Sequence, residues 1–328
     1  MPEQFCDVGR GVSLCYETFG EVSNPPALLI MGLGTQMVAW HEDFCRALAD
    51  TGLYVVRFDN RDAGRSTHFA GAPPTIRQLL MRSRSAARYG LGDMADDAAG
   101  LLRALSLEPA HVIGASMGGM IAQTLAARHP ESVRSLVSIM SNTGSLRSGQ
   151  PALRVYSIFL RRAPRERDAF IKHMERVFSL IGSPEYRDQD RDDMRSIATA
   201  SFERDTDPHG PGRQLAAIIA AGDRTAELRR VRAPTLVIHG SADPLVAPSG
   251  GRATARAIPG ASLLTIPGMG HDLPRALWPR LIDAIASHTQ QADAAARADG
   301  LEPSPLQTRP APLGGSGTRR VSPGSAGL

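Results

Sequence analysis

Cysteine is scarce in this 328-residue chain, occurring three times, at Cys6, Cys15 and Cys45. A small odd number without metal-ligand spacing argues against a disulfide framework and against a zinc-type site, so no metal is expected. Long apolar runs are also missing. None approaches the roughly 20 residues a membrane span requires, and the opening Met1-Pro2-Glu3-Gln4 lacks the basic-then-apolar order of a signal peptide. The expectation is a chain with no membrane partner, working in the cytoplasm. Basic blocks are absent as well. The net charge of +4 comes from scattered arginines, which gives no electrostatic case for a nucleic-acid partner. The glycines at 32 and 34 are followed by neither Gly-x-Gly-x-x-Gly nor a Lys-Ser/Thr element, which makes a nucleotide-binding reading weak.

What is present is an ordinary globular composition: 42% hydrophobic and 21% charged residues, enough for a substantial core in one large domain or two small ones. Residues 5–20 read as two strands of an antiparallel edge hairpin, with 13–19 alternating apolar and polar. The continuous apolar run at 27–31 reads as a strand covered on both faces, and further mainly apolar strands are read at 54–58, 111–115, 135–140, 234–239 and 262–266. Helical periodicity intervenes at 40–50, after Asp93 as an N-cap, after residue 116, at 248–258 and at 276–288. Strand and helix in alternation mean an α/β fold, a mostly parallel sheet with helices on both faces. From 144 to 230 the rhythm breaks into helices alone (155–160, 168–180, 193–202, 214–221). This is read as a helical cap inserted between two parts of the core, 1–143 and 231–289. From 290 to 328 the composition shifts to Ala, Gly, Pro, Ser and Arg, which reads as a disordered tail unable to offset its ordering entropy.

The apolar run at 111–115 leads into Gly114-Ala115-Ser116-Met117-Gly118 and then a helical pattern. A serine hydroxyl becomes a nucleophile if it projects into an open site and meets a base. A sharp strand-to-helix turn projects it, with a strained backbone at the serine and glycines where strand and helix crowd together. The same turn places the Met117 amide at a helix N-terminus, facing the charge that develops on an oxyanion. A second donor is expected from the loop after the 27–31 strand. Leu33 N–H is assigned, because Gly32 and Gly34 leave that backbone accessible.

Serine acyl chemistry also needs a base and an acid that holds the base in the right tautomer. Asp243 follows the 234–239 strand and His271 follows the 262–266 strand. Both therefore sit, with Ser116, at the C-terminal edge of the sheet, where open α/β folds bind ligands. Rivals can be named. Asp243 precedes Pro244 and is also a good turn residue, and His271 is also a plausible exposed loop histidine. His239 lies on the apolar strand and reads as structural. His111 is at the wrong end of its strand, and His129 ends a helix. Asp272 competes as the acid but would have to fold back on its own neighbour. The Asp59–Ser66 segment reads as a buried polar loop that holds the turn beside the elbow.

These segments (30–34, 58–66, 114–119, 240–243 and 267–271) resemble the α/β-hydrolase fold, over roughly residues 5–288. They are most similar to the esterase branch that includes aclacinomycin methylesterase, with which Met31-Gly32 at the oxyanion loop and Asp62 are shared. The resemblance implies an eight-stranded sheet and a cofactor-free serine hydrolase acting on a small-molecule ester. It implies Ser116 as nucleophile, Asp243 as acid and His271 as base. Phe159, Phe170 and Phe178, with Gly32 and Trp40 near the oxyanion loop, suggest an apolar acyl pocket. The alternatives on the same triad are perhydrolysis, lactone opening and C–C bond hydrolysis. A non-catalytic small-molecule binder is the reading from another class.

Overall fold

The computed structural model describes residues 2–298, apart from 72, 76, 79–80, 82–85, 157–163 and 206. Phe159, most of the helix expected over 155–160, and the expected tail from 299 onward lie outside the described residues.

The apolar runs become one eight-stranded sheet: β1 (Gln4–Asp7), β2 (Ser13–Phe19), β3 (Pro26–Ile30), β4 (Tyr54–Phe58), β5 (Ala110–Ala115), β6 (Val133–Ile139), β7 (Thr235–Gly240) and β8 (Ser262–Ile266). Their spatial order is β1-β2-β4-β3-β5-β6-β7-β8. β2 pairs antiparallel with β1 and with β4, and every later pairing is parallel. The helices are α1 (Glu42–Ala49), α2 (Leu91–Ala104), α3 (Met117–Arg128), α4 (Arg167–Ile181), α5 (Arg191–Arg204), α6 (Gly210–Ala221), α7 (Ser249–Ala257) and α8 (Trp278–Ala298).

Because side chains alternate across a strand, neighbouring residues of one run feed two cores. Leu28, Ile30, Val56, Phe58, Val112 and Leu136 pack with α2 and α3. Leu29, Val55, Ile113, Val137 and Ile238 pack on the other face with Phe44 of α1 and with Trp278, Leu281 and Ile285 of α8. Both faces of the central strands are thus covered, as their apolar character predicts, but β8, expected to be covered as well, lies at the sheet edge with Ser262, Leu263 and Thr265 exposed.

Two expectations are corrected here. Asp93 is not the N-cap of α2. The helix starts at Leu91, and the Asp93 carboxylate reaches back to accept the Gly90 N–H at 2.8 Å. The last helix does not stop near 288, nor does a tail begin at 290. α8 continues to Ala298, with Thr289, Ala292 and Asp293 buried and Asp293 accepting from Arg134 at 2.9 Å. The Ala, Gln and Arg of that stretch are strong helix formers, and small side chains suffice where the helix closes on the sheet. Trp40, expected beside the oxyanion loop, is fully buried, stacked on Phe44 at 5.6 Å between ring centroids, in the core shared with Trp278.

Between β6 and β7 the described chain runs through α4, α5, α6 and one further helical turn, Thr225–Leu228. This segment is tied to the core by buried polar contacts. Arg204, closing α5, donates to Asp59 at 2.7 Å and to Glu3 at 2.7 Å. Arg213 of α6 donates to Asp62 at 2.7 and 2.8 Å. The Asp59–Ser66 loop therefore has a structural role, as expected, and part of that role is to anchor the helical segment. Removing one member of such a buried ion pair typically costs about 3–5 kcal/mol, since the other is left without a partner.

Packing is very close where α3 leaves β5. A Cβ on Gly118 would fall 2.0 Å from the Ile30 carbonyl oxygen, and one on Gly114 2.2 Å from the Gly118 carbonyl oxygen. Both neighbours are backbone and cannot swing aside. Gly118→Ala is expected to lower unfolding free energy by roughly 3 kcal/mol or more, read as a lower urea midpoint at unchanged m-value. A midpoint equal to wild type would show that α3 does not need to sit this close to β3.

Candidate active site

Ser116 occupies the turn between β5 and α3 with φ 57° and ψ −119°. A non-glycine residue there costs on the order of 1–3 kcal/mol and persists only when its surroundings hold it. Here Ser116 N–H donates to the Ile139 carbonyl at 2.9 Å, and the Ser116 carbonyl accepts from Met120 N–H at 3.2 Å. The strain aims the side chain out of the sheet edge, and Ser116 is half-buried while its neighbours Ala115 and Met117 are buried.

Asp243 and His271 arrive from the loops after β7 and β8. His271 Nε2 lies 2.9 Å from Ser116 Oγ, and His271 Nδ1 lies 2.8 Å from Asp243 Oδ2. Three side chains separated by up to 155 positions thus form one continuous hydrogen-bonded line. With Nδ1 facing a carboxylate, the ring carries its proton there and presents the Nε2 lone pair to the serine. The second Asp243 oxygen, Oδ1, accepts the Leu245 and Val246 amides at 2.9 and 2.8 Å. Burial alone would push this carboxyl up. The charge His271 can carry, together with N–H donors from His239, His271 and Val246, outweighs burial and brings it down to about 2.

Three of the rivals go elsewhere. His111 Nδ1 meets Ser135 Oγ at 2.9 Å at the opposite end of the sheet, and His129 Nε2 meets Asp96 at 2.8 Å. Asp272 turns away from its neighbour: its oxygens accept Ser183 N–H at 2.8 Å and Ser183 Oγ–H at 2.5 Å. Burial pushes the Asp272 carboxyl up in spite of these bonds. Ser183, just past α4, also accepts Gly270 N–H at 2.7 Å, and His271 N–H donates to the Ile181 carbonyl at 2.8 Å. The histidine loop is therefore held by the helical segment as much as by β8. Ser183 carried no signal in the sequence, being 89 residues from Asp272.

The loop after β3 lies against the serine: a Cβ on Gly32 would sit 3.1 Å from Ser116 Cβ and 3.6 Å from Ser116 Oγ. Leu33 is half-buried beside it, and Met117 opens α3. Asn60 Nδ2 donates to the Met31 carbonyl at 2.9 Å. Gly34 N–H donates to Gln214 Oε1 at 2.8 Å, while Gln214 Nε2 donates to the Arg61 carbonyl at 2.8 Å. Gln214, on α6 and fully buried, thus braces the loop from the helical segment, a contact that the sequence does not announce.

Among the described residues one trio could in principle hold a metal ion: Asp62, His68 and Asp207, with ligating atoms within 4.8 Å of one another. Arg213 already bridges the two carboxylates at 2.7 Å each. The chain itself supplies the positive charge there. No helix among the described residues is long and apolar enough to cross a membrane.

Comparison with known proteins agrees with this architecture. Residues 25–274 match the family model of the alpha/beta hydrolase fold. The chain is 29% identical over 301 residues to a rhodomycin D methylesterase of Streptomyces sp. strain C5, covering 86% of this chain and 96% of that protein. It is 28% identical over 281 residues to a putative non-heme bromoperoxidase of Mycobacterium tuberculosis H37Rv, covering 79% and 91%. A thermophilic esterase from Thermogutta terrifontis superposes with a TM-score of 0.66 at 21% identity, covering 89% of this chain and 99% of that one. With the elbow turn, the strand order and the family model in agreement, the chain belongs to the α/β hydrolase fold family.

Proposed function

We propose that this protein is a carboxylic-ester hydrolase working through an acyl-serine intermediate, with methyl esters among its substrates. One observation carries the reading: Ser116 Oγ, His271 Nε2, His271 Nδ1 and Asp243 Oδ2 line up at 2.9 and 2.8 Å at the C-terminal edge of the strands. The similarity to a protein named a rhodomycin D methylesterase supports the choice of ester and of a small leaving alcohol.

In this reading His271 Nε2 takes the Ser116 proton as Oγ bonds to the ester carbonyl carbon. The tetrahedral intermediate collapses with cleavage of the carbon–alkoxide bond, and His271 hands its proton to the departing alcohol. Water then adds to the acyl carbon, giving a proton to His271. That proton returns to Oγ as the Ser116 ester bond breaks and the acid leaves. Asp243 stays ionised throughout and keeps the imidazole in its working tautomer. Leu33 N–H and Met117 N–H are the donors assigned to the oxyanion. Every proton moves among the chain, substrate and water, so the reaction requires no cofactor. The helical segment 144–230 acts as a cap whose side chains select the acyl group, with Phe170, set against Phe202 at 5.5 Å, and Phe178 on its α4 helix.

The test is turnover of a panel of methyl and nitrophenyl esters that varies acyl length and alcohol size. A parallel arm follows bromination in acetate and peroxide, since one relative is named a bromoperoxidase. Ester hydrolysis should exceed bromination at matched enzyme, and a fluorophosphonate probe should label the protein at Ser116. A protein that cleaves no ester in the panel and takes up no probe would be a binder rather than an enzyme.

A further inference from the structure

His239 closes the buried run of β7, and from the sequence it reads as a core residue. The structure puts it against the acid. Its ring is 1% exposed, and its Nε2 lies 2.8 Å from the Val246 carbonyl oxygen and 3.4 Å from Asp243 Oδ2. Both neighbours are acceptors, so Nε2 carries a proton. Nδ1 is buried and has no hydrogen-bond partner among the described residues, and protonating it as well would bury an unmatched N–H. Nε2–H therefore donates to the Val246 carbonyl, with the Asp243 carboxylate beside it at 3.4 Å. It cannot rotate away: a Cβ on Gly251 would fall 2.5 Å from His239 Nδ1, so α7 packs flat against it.

We propose that His239 is a positioning residue for the reaction, its Nε2–H holding Asp243 Oδ2 in line with His271 Nδ1 and withdrawing negative charge from that oxygen. The inference rests on the ester-hydrolase reading of Ser116, Asp243 and His271. Asp243 Oδ2 then accepts the His271 N–H at 2.8 Å and has His239 Nε2 beside it at 3.4 Å, while Oδ1 receives two amides. Among the described residues, the charge of Asp272 also reaches His271 and Asp243, although its carboxylate is turned onto Ser183. Taking away the His239 donor makes Asp243 a stronger acceptor. His271 then holds its second proton to higher pH and is a base over a narrower range.

The experiment compares wild type, His239→Phe, His239→Asn and His239→Gln in the full chain. Phenylalanine keeps the ring and loses the donor. Asparagine is polar but too short to reach Asp243, and serves if the phenylalanine variant does not fold. Glutamine can place its amide N–H where Nε2 lies. In the first two, the acid limb of the kcat/KM profile should move up by about half a pH unit, with the plateau falling roughly fivefold. Glutamine should restore both to within about twofold of wild type. Thermal unfolding, followed in parallel, reports the hold on Val246. Variants that lose thermal stability but keep the wild-type limb would overturn the proposal, as would a glutamine variant shifted as far as phenylalanine. A second readout separates this from failure of the ester reading. If wild type cleaves no ester, NMR titration of the His271 ring still decides: a higher midpoint in the phenylalanine or asparagine variant, reversed in glutamine, supports the proposal, and an unmoved midpoint overturns it.

Discussion

Replacing Ser116 by alanine should lower kcat for a nitrophenyl ester by roughly 10⁵–10⁶-fold, the loss typical when a serine nucleophile is removed from a working triad. The fold should survive intact. Alanine keeps the Cβ, so the backbone at φ 57° is neither relieved nor worsened, and the bonds from Ser116 N–H to Ile139 and from Met120 N–H to Ser116 are made by the main chain. The lost partner is a hydroxyl at a half-buried position, and His271 Nε2 can turn to water in its place. Expected together are a melting temperature close to wild type, loss of fluorophosphonate labelling, and residual turnover set by substrate binding and the oxyanion donors. A variant retaining more than a tenth of wild-type turnover would mean that another group attacks the ester.

Asp243→Asn should be nearly as damaging, about 10⁴-fold in kcat, for a reason that the hydrogen bonds make specific. Two main-chain N–H groups, from Leu245 and Val246, point at Oδ1 at 2.9 and 2.8 Å, so the amide oxygen of asparagine must take that side. Its NH₂ is then forced into the Oδ2 position, facing His271 Nδ1. To avoid two opposed donors the imidazole must move its proton to Nε2, and it can no longer accept the Ser116 proton. The same NH₂ faces the His239 Nε2–H, so the variant should also lose about 1–3 kcal/mol of stability. Its acid sensitivity should change too. In the wild type the carboxyl is held ionised down to about 2 in the fold against an ordinary 3.8. The stability it contributes is therefore present above 3.8 and lost as pH falls through 2. Asparagine cannot titrate, and that part of the acid unfolding should vanish. Turnover within tenfold of wild type would remove Asp243 from the mechanism.

Much of this was legible beforehand. The segments at 27–31, 54–58 and 111–115 read as strands because short, mainly apolar stretches bounded by turn residues suit a strand covered on both faces, and their alternation with helices points to a parallel sheet. Ser116 shows itself because the elbow needs glycine on both sides, and Asp243 and His271 because each stands directly after a buried strand. Composition misled at 290–298. A lack of large apolar residues suggests disorder, yet alanine-rich helix needs few of them when Thr289, Ala292 and Asp293 are buried. The short turn at Met37–Ala39 sets Trp40 into the core, a depth that its place in the sequence near Gly32 does not reveal.

The amino-acid order alone determined the layers, the strand-end positions of the three reactive side chains and the strained turn, since all of these follow from local pattern and backbone sterics. Tertiary structure decided which of several histidines and acids meet. His239 touching Asp243, Ser183 gripping the His271 loop and Gln214 bracing Gly34 are contacts set by how loops and helices dock. A polar side chain can satisfy its hydrogen bond with any partner the fold brings within about 3 Å, and nothing in its own neighbourhood along the chain says which partner that will be.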